Sequence, residues 1–221
     1  MKLMPALPES IFDIAYLLFA IISGALMLTR AKKTSSKLAF ILGAATLILG
    51  LGDSFHLVPR VLNYWTELSL TAALGIGKLV TSITMTVFYL ILEYAREERY
   101  ILKNKKAVLV TMWAFAAFRI ILCLFEQNGW TAQNPPLSWG IIRNIPFVIM
   151  GVLQIVLWFK SAMDDKPLKL LWLLILLSFG FYLPVVLFAG TVPIIGMLML
   201  PKTVMYILMI VSFKKAIKPK K

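Results

Sequence analysis

The chain has 221 residues, 60% hydrophobic and 15% charged, with a mean hydropathy of +0.86. Soluble domains carry about 45–50% apolar residues, so this composition excludes an ordinary water-soluble domain. The formal net charge of +13 falls in clusters between apolar runs, which fits a basic face turned to anionic lipid headgroups and argues against a nucleic-acid partner.

A helix needs roughly 20 apolar residues to cross about 30 Å of hydrocarbon. Runs of that kind predict seven membrane-spanning helices at about 9–30, 38–62, 68–92, 107–126, 139–160, 167–188 and 192–213. The expected fold is an all-α, polytopic bundle, one transmembrane domain over residues 1–221. Little chain is left over, so any activity is expected inside the bundle or at its mouths. Pro5, Glu9 and Asp13, rather than a basic segment, precede the first run, which predicts a retained span and not a removable signal.

Most of the 23 Lys and Arg residues lie in the first, third and fifth connections or after Lys214. The connections around 63–67, 127–138 and 189–191 contain neither. Cytoplasmic loops carry the excess of basic residues, so the N-terminus is expected outside and the C-terminus inside. Tyr64, Trp65, Trp130, Trp139 and Trp158 fall near span ends, where they read as interfacial anchors.

Within the second span, Asp53, His56 and Arg60 are spaced i, i+3 and i+7 and share a helical face. Gly50 and Gly52 precede them and would admit a close helix neighbour. In the third span Lys78, Thr81 or Ser82, Met85 and Tyr89 form one stripe, with Lys78 about 10 residues from the outer end and so roughly 15 Å deep. Hydroxyls at Thr81, Ser82, Thr84 and Thr86 fit either interhelical bonding or a cavity lining. Span 4 holds Arg119 and the only cysteine, Cys123, which excludes an intramolecular disulfide. Arg143 enters span 5 at a depth similar to Arg119, with Gln154 continuing its face. Pro201 and Lys202 follow a Met-Leu run in the last span; the proline predicts a kink that frees the carbonyl of Met197, with Tyr206 one turn beyond.

Five cations, Arg60, Lys78, Arg119, Arg143 and Lys202, thus stand within spans against one well-embedded acid, Asp53. Buried charges of one sign are costly unless wetted or paired. A water-filled outer cavity that binds an anion resolves the surplus. With a single histidine, His56, no three-histidine metal site is possible.

Three matches recur in one order: Thr86-Val-Phe-Tyr89 with Thr203-Val-Met-Tyr206, Phe55-His56-Leu-Val-Pro59 with Phe181-Tyr182-Leu-Pro184, and Arg30 with Lys160 at the ends of spans 1 and 5. They suggest two parallel three-helix units joined by span 4. Sugar transporters and retrieval receptors share that plan, but their Pro-Gln signature is absent.

The stretches 52–60, 77–86 and 200–203 resemble those of uncharacterised bacterial integral membrane proteins. That resemblance implies a multi-pass protein of a bacterial plasma membrane and no particular activity. The chain is also similar in plan to microbial rhodopsins, through its seven spans, Tyr182-Leu-Pro184 in span 6, and Lys202 where that family attaches retinal. It departs from them in having Leu198 one turn before Lys202, Lys78 where the family has an acidic counterion, and no Trp before Pro184.

Together these residues imply a membrane transporter or receptor-like protein. Its partners would be the lipid bilayer and a small anion or anionic lipid headgroup, held by Asp53, His56, Arg60, Lys78, Ser82, Arg119, Arg143, Lys202 and Tyr206, with no cofactor. The alternatives are a membrane-embedded enzyme acting on lipid headgroups, with Asp53 or His56 as general base, and a retinal-binding protein with Lys202 as the Schiff-base amine.

Overall fold

Each predicted apolar run is helical in the computed structural model, which describes residues 3–102 and 105–218. The helices are α1 (Leu3–Thr34), α2 (Lys37–Trp65), α3 (Thr71–Arg99), α4 (Lys105–Leu124), α5 (Leu137–Ile142), α6 (Ile145–Ala162), α7 (Leu171–Phe188) and α8 (Met199–Ala216). No strand occurs among the described residues. Seven helical stretches are long and apolar enough to cross a membrane, the fifth formed by α5 with α6 and the seventh by a 3-10 segment, Pro193–Leu198, with α8. By length and composition the chain is a multi-pass integral membrane protein.

Consecutive spans pack side by side, and α8 returns to α1, so the ring closes on itself. Contacts between α3 and α6 tie it together across its width. The α1–α2 turn is tight because Ser35 takes φ +50° and Ser36 caps α2, its Oγ accepting the Ala39 N–H at 3.3 Å. Small residues set the spacing. A Cβ added at Gly50 would lie 2.9 Å from the Cβ of Ala20, and one at Gly77 would meet the backbone of Phe55 and His56. Helices that approach this closely require glycine at the crossing.

Two of the expected continuous helices are broken. Pro146 has no N–H to donate back to Ile142, so the fifth span stops at Arg143 and restarts with Asn144 as N-cap of α6. Pro201 does not kink a helix. The turns from Pro193 to Leu198 are 3-10, α8 begins at Met199, and Pro201 stands in its first turn, where a missing N–H leaves no intrahelical bond unmade. The third span also runs further than expected, to Arg99, and begins at Thr71, so Lys78 is only about two turns from its start.

Tyr16, Leu42, Phe88, Tyr89, Met112, Met150, Ile175, Met209 and Phe213 build the interior, all essentially buried. Leu18, Ile22, Phe118, Ile121, Val152 and Leu176 are exposed on the outer faces of the ring, as expected of side chains that meet lipid. Toward the basic end the core is polar. Arg96 donates to Glu93 at 2.5 and 3.0 Å and to Ser161 at 3.0 Å, and Trp158 donates to Gln154 at 2.8 Å. Trp158 is therefore a buried strut and not an interfacial anchor. At the end of α3, Arg99 pairs with Asp165 at 2.9 Å, and Tyr100 just beyond it donates to the same carboxylate at 2.7 Å. Burial and that neighbouring carboxylate raise the Tyr100 hydroxyl's pKa, so it stays a donor.

Candidate functional site

A cavity of about 660 Å³ opens at the end of the bundle opposite the basic connections, below the 125–136 and 189–192 segments. Four basic side chains border it: Lys78 from α3, Arg119 from α4, Arg143 from the α5–α6 break, and Lys202 from the start of α8. His56 and Ser82 line it as well, and among the described residues no carboxylate does. The floor and walls add Phe147, Tyr182, Met85, Val185 and Val186.

Arg119 is the deepest cation, 1% exposed. Its guanidinium lies 3.4 Å from the centre of the Phe147 ring and donates to Thr86 Oγ1 at 3.0 Å and to Asn144 Oδ1 at 3.5 Å. The Nε has no hydrogen-bond partner. Among the described residues no acid pairs with this charge. Cation–ring attraction and neutral hydrogen bonds recover part of its hydration, at a position where unpaired charge is costly.

Lys202 is 9% exposed, with Nζ 4.7 Å from the Tyr182 ring centre and 5.4 Å from that of Tyr206. Asp53 on α2 is the acid whose charge it feels, and Arg119 the cation. Asp53 does not line the cavity. It is half-buried between helices and accepts the Tyr16 hydroxyl of α1 at 2.7 Å. Tyr206 likewise lies beneath the cavity floor, its hydroxyl close to those of Tyr89 and Ser178.

Arg143, half-buried, and Lys78 lie toward the mouth of the cavity. Arg143 stacks 4.2 Å over Trp130 and donates to Asn128 Oδ1 at 2.9 Å. Asn128 is fully buried and braced in turn, its amide donating to the carbonyls of Leu122 and Phe125 at 2.8 Å. Lys78 is exposed to the opening. Ser82 contributes little polarity, since its hydroxyl donates back to the Lys78 carbonyl at 2.8 Å. Thr81 bonds the Gly52 carbonyl of α2 at 3.1 Å, and Thr86 receives Arg119, so one hydroxyl fastens helices and another supports the floor.

Arg60 is a correction. It pairs with Glu9 of α1, which also accepts the Tyr64 hydroxyl at 2.9 Å, and it faces away from the cavity. The surplus of cations is consequently smaller than the spans alone implied. Glu9 and Asp13 lie within α1, Asp13 3% exposed, and Glu93 is fully buried within α3, so Asp53 is not the only embedded acid. Asp53 and Arg60 face α1 while His56 turns to the cavity, which splits the expected single face of α2. Trp130, read as an anchor, is part of the wall.

Asn144, with Phe147 and Asn128, is among the residues that sequence reasoning missed. It is 5% exposed, accepts from Tyr182 at 2.8 Å and from Arg119, and donates to the Gly140 carbonyl at 2.8 Å. A carboxamide beside Arg143 in an apolar run, two residues before a proline, was the available signal. No family model matches this chain, and neither a curated protein nor a solved structure does.

Proposed function

We propose that this protein is a membrane transporter or receptor that binds a small anion or anionic headgroup in an outward-facing cavity. One observation carries the reading: four cations border a single opening whose lining, among the described residues, contains no carboxylate. Such a pocket is electrostatically incomplete when empty, and a guest of opposite sign stabilises it. In this reading Arg119 and Lys202 are the inner contacts and Arg143 and Lys78 the outer ones. The basic connections at the other end support an N-terminus outside and a C-terminus in the cytoplasm.

Asp53 and His56 serve as the coupling groups. Ionised Asp53, held by Tyr16, attracts the Lys202 ammonium; once protonated it leaves that ammonium free for the anion. Affinity therefore rises as pH falls. Asp53→Asn fixes the released state, so that affinity no longer rises as Asp53 would protonate. The equivalence of Tyr89 and Tyr206 in the two halves, and the approach of their hydroxyls, support a twofold repeat along the membrane normal.

The test is uptake of labelled phosphate and a panel of carboxylates into proteoliposomes, with binding measured in parallel on purified protein. Lys202→Met abolishes both signals in this reading, and a variant that binds and transports normally removes its basis. Because Lys202 acts here as a free cation, adding all-trans retinal gives no visible absorption band.

A further inference from the structure

The cavity is too large for an inorganic oxyanion. Such an ion, about twice a water's share of liquid volume, would fill roughly a tenth of the about 660 Å³ available. Pockets of several hundred Å³ take organic molecules. The cations are also not spread evenly. Arg119 and Lys202 are buried at the floor, whereas Arg143 is half-buried and Lys78 exposed toward the mouth.

The separation of the two pairs can be read along the helices. Arg119 rests on Phe147, one turn beyond Arg143 on the fifth span, reaches Asn144 beside Arg143, and bonds Thr86, about two turns beyond Lys78 on α3. One to two turns is on the order of 6–12 Å. Between these levels Met85, Phe147, Val185 and Val186 give the wall an apolar surface beside the polar Thr81, Ser82 and Asn144. A single anionic group can engage one pair and leaves the other uncompensated; Asp53 offsets Lys202 alone.

Building on the anion-binding reading, we propose that the ligand is a soluble organic dianion, two acidic groups joined by a short hydrocarbon body. The inner acid sits on Arg119 and Lys202, the outer acid on Arg143 and Lys78, and the body lies along Phe147 and Val185. Its chemistry is that of an α,ω-dicarboxylate, or of an organic phosphate that also carries a carboxylate.

The experiment is thermal unfolding of the purified protein at constant ionic strength. The ligands are dicarboxylates from succinate to suberate, monocarboxylates of equal chain length, inorganic phosphate, and a short-chain phosphatidic acid. Dicarboxylates of one optimal length reach half-maximal stabilisation at a concentration about tenfold or more below that of the matching monocarboxylate, the gain expected from a second charge-assisted contact. Lys78→Met removes that advantage, and Arg119→Met removes stabilisation by either class. Equal potency of mono- and dicarboxylates, or stabilisation by phosphate or phosphatidic acid alone, overturns the dianion and leaves the anion cavity standing. Stabilisation by none of them overturns both.

Discussion

Arg119 shows how far one residue can be held against its own solvation. It is buried, has no carboxylate partner among the described residues, and leaves its Nε without a hydrogen bond there. Replacing buried ionic groups by apolar ones of similar volume often stabilises a protein by about 1–4 kcal/mol. Arg119→Met is therefore expected to lose anion binding while raising the unfolding midpoint of the ligand-free protein, a combination that a structural arginine would not give. Glu93 is the opposite case. Its removal as Glu93→Gln leaves Arg96 buried without an acid and is expected to cost about 3–5 kcal/mol, read by denaturant unfolding in micelles. At this scale the candidate cations were legible, because an ionisable side chain inside an apolar run stands out. Their partners were not. Nothing in the spacing of α2 shows that Arg60 meets Glu9, since that contact depends on which helix packs beside it.

Helix existence was the most readable level, since no shorter structure needs an apolar run of such length. The ends were less so: α3 continues through its charged last turns to Arg99, where Arg99 and Tyr100 secure it to Asp165. The break at Asn144 was visible as Pro146 but was read as continuous helix, and the one before Met199 was read as a kink at Pro201. A proline forbids one hydrogen bond, and the sequence does not say whether the chain bends there or begins a new helix. Crossing points test the packing directly. Gly77→Val would push a side chain into the Phe55 carbonyl, and an overpacked crossing typically costs about 1–3 kcal/mol. The expected result is a lowered midpoint with the α2–α3 pair loosened; an unchanged midpoint would show the crossing to be wider than described.

Across the whole molecule the two ends are built differently, one open and cationic within, the other closed by the Glu93, Arg96, Gln154 and Trp158 cluster. Cys123 is buried, so single cysteines introduced elsewhere can report topology with little background. Gln133→Cys, at the mouth, is expected to react with a membrane-impermeant maleimide on intact cells, and Ser35→Cys only after the membrane is broken. The reverse pattern would invert the orientation proposed above. That orientation has an electrical side. A guest resting on Arg119 and Lys202 has entered part of the transmembrane field, where one elementary charge moved across 100 mV is worth about 2.3 kcal/mol. An inside-negative cell pushes a doubly charged guest back out, so occupancy should weaken on hyperpolarisation, and inward movement needs compensating positive charge to travel with it.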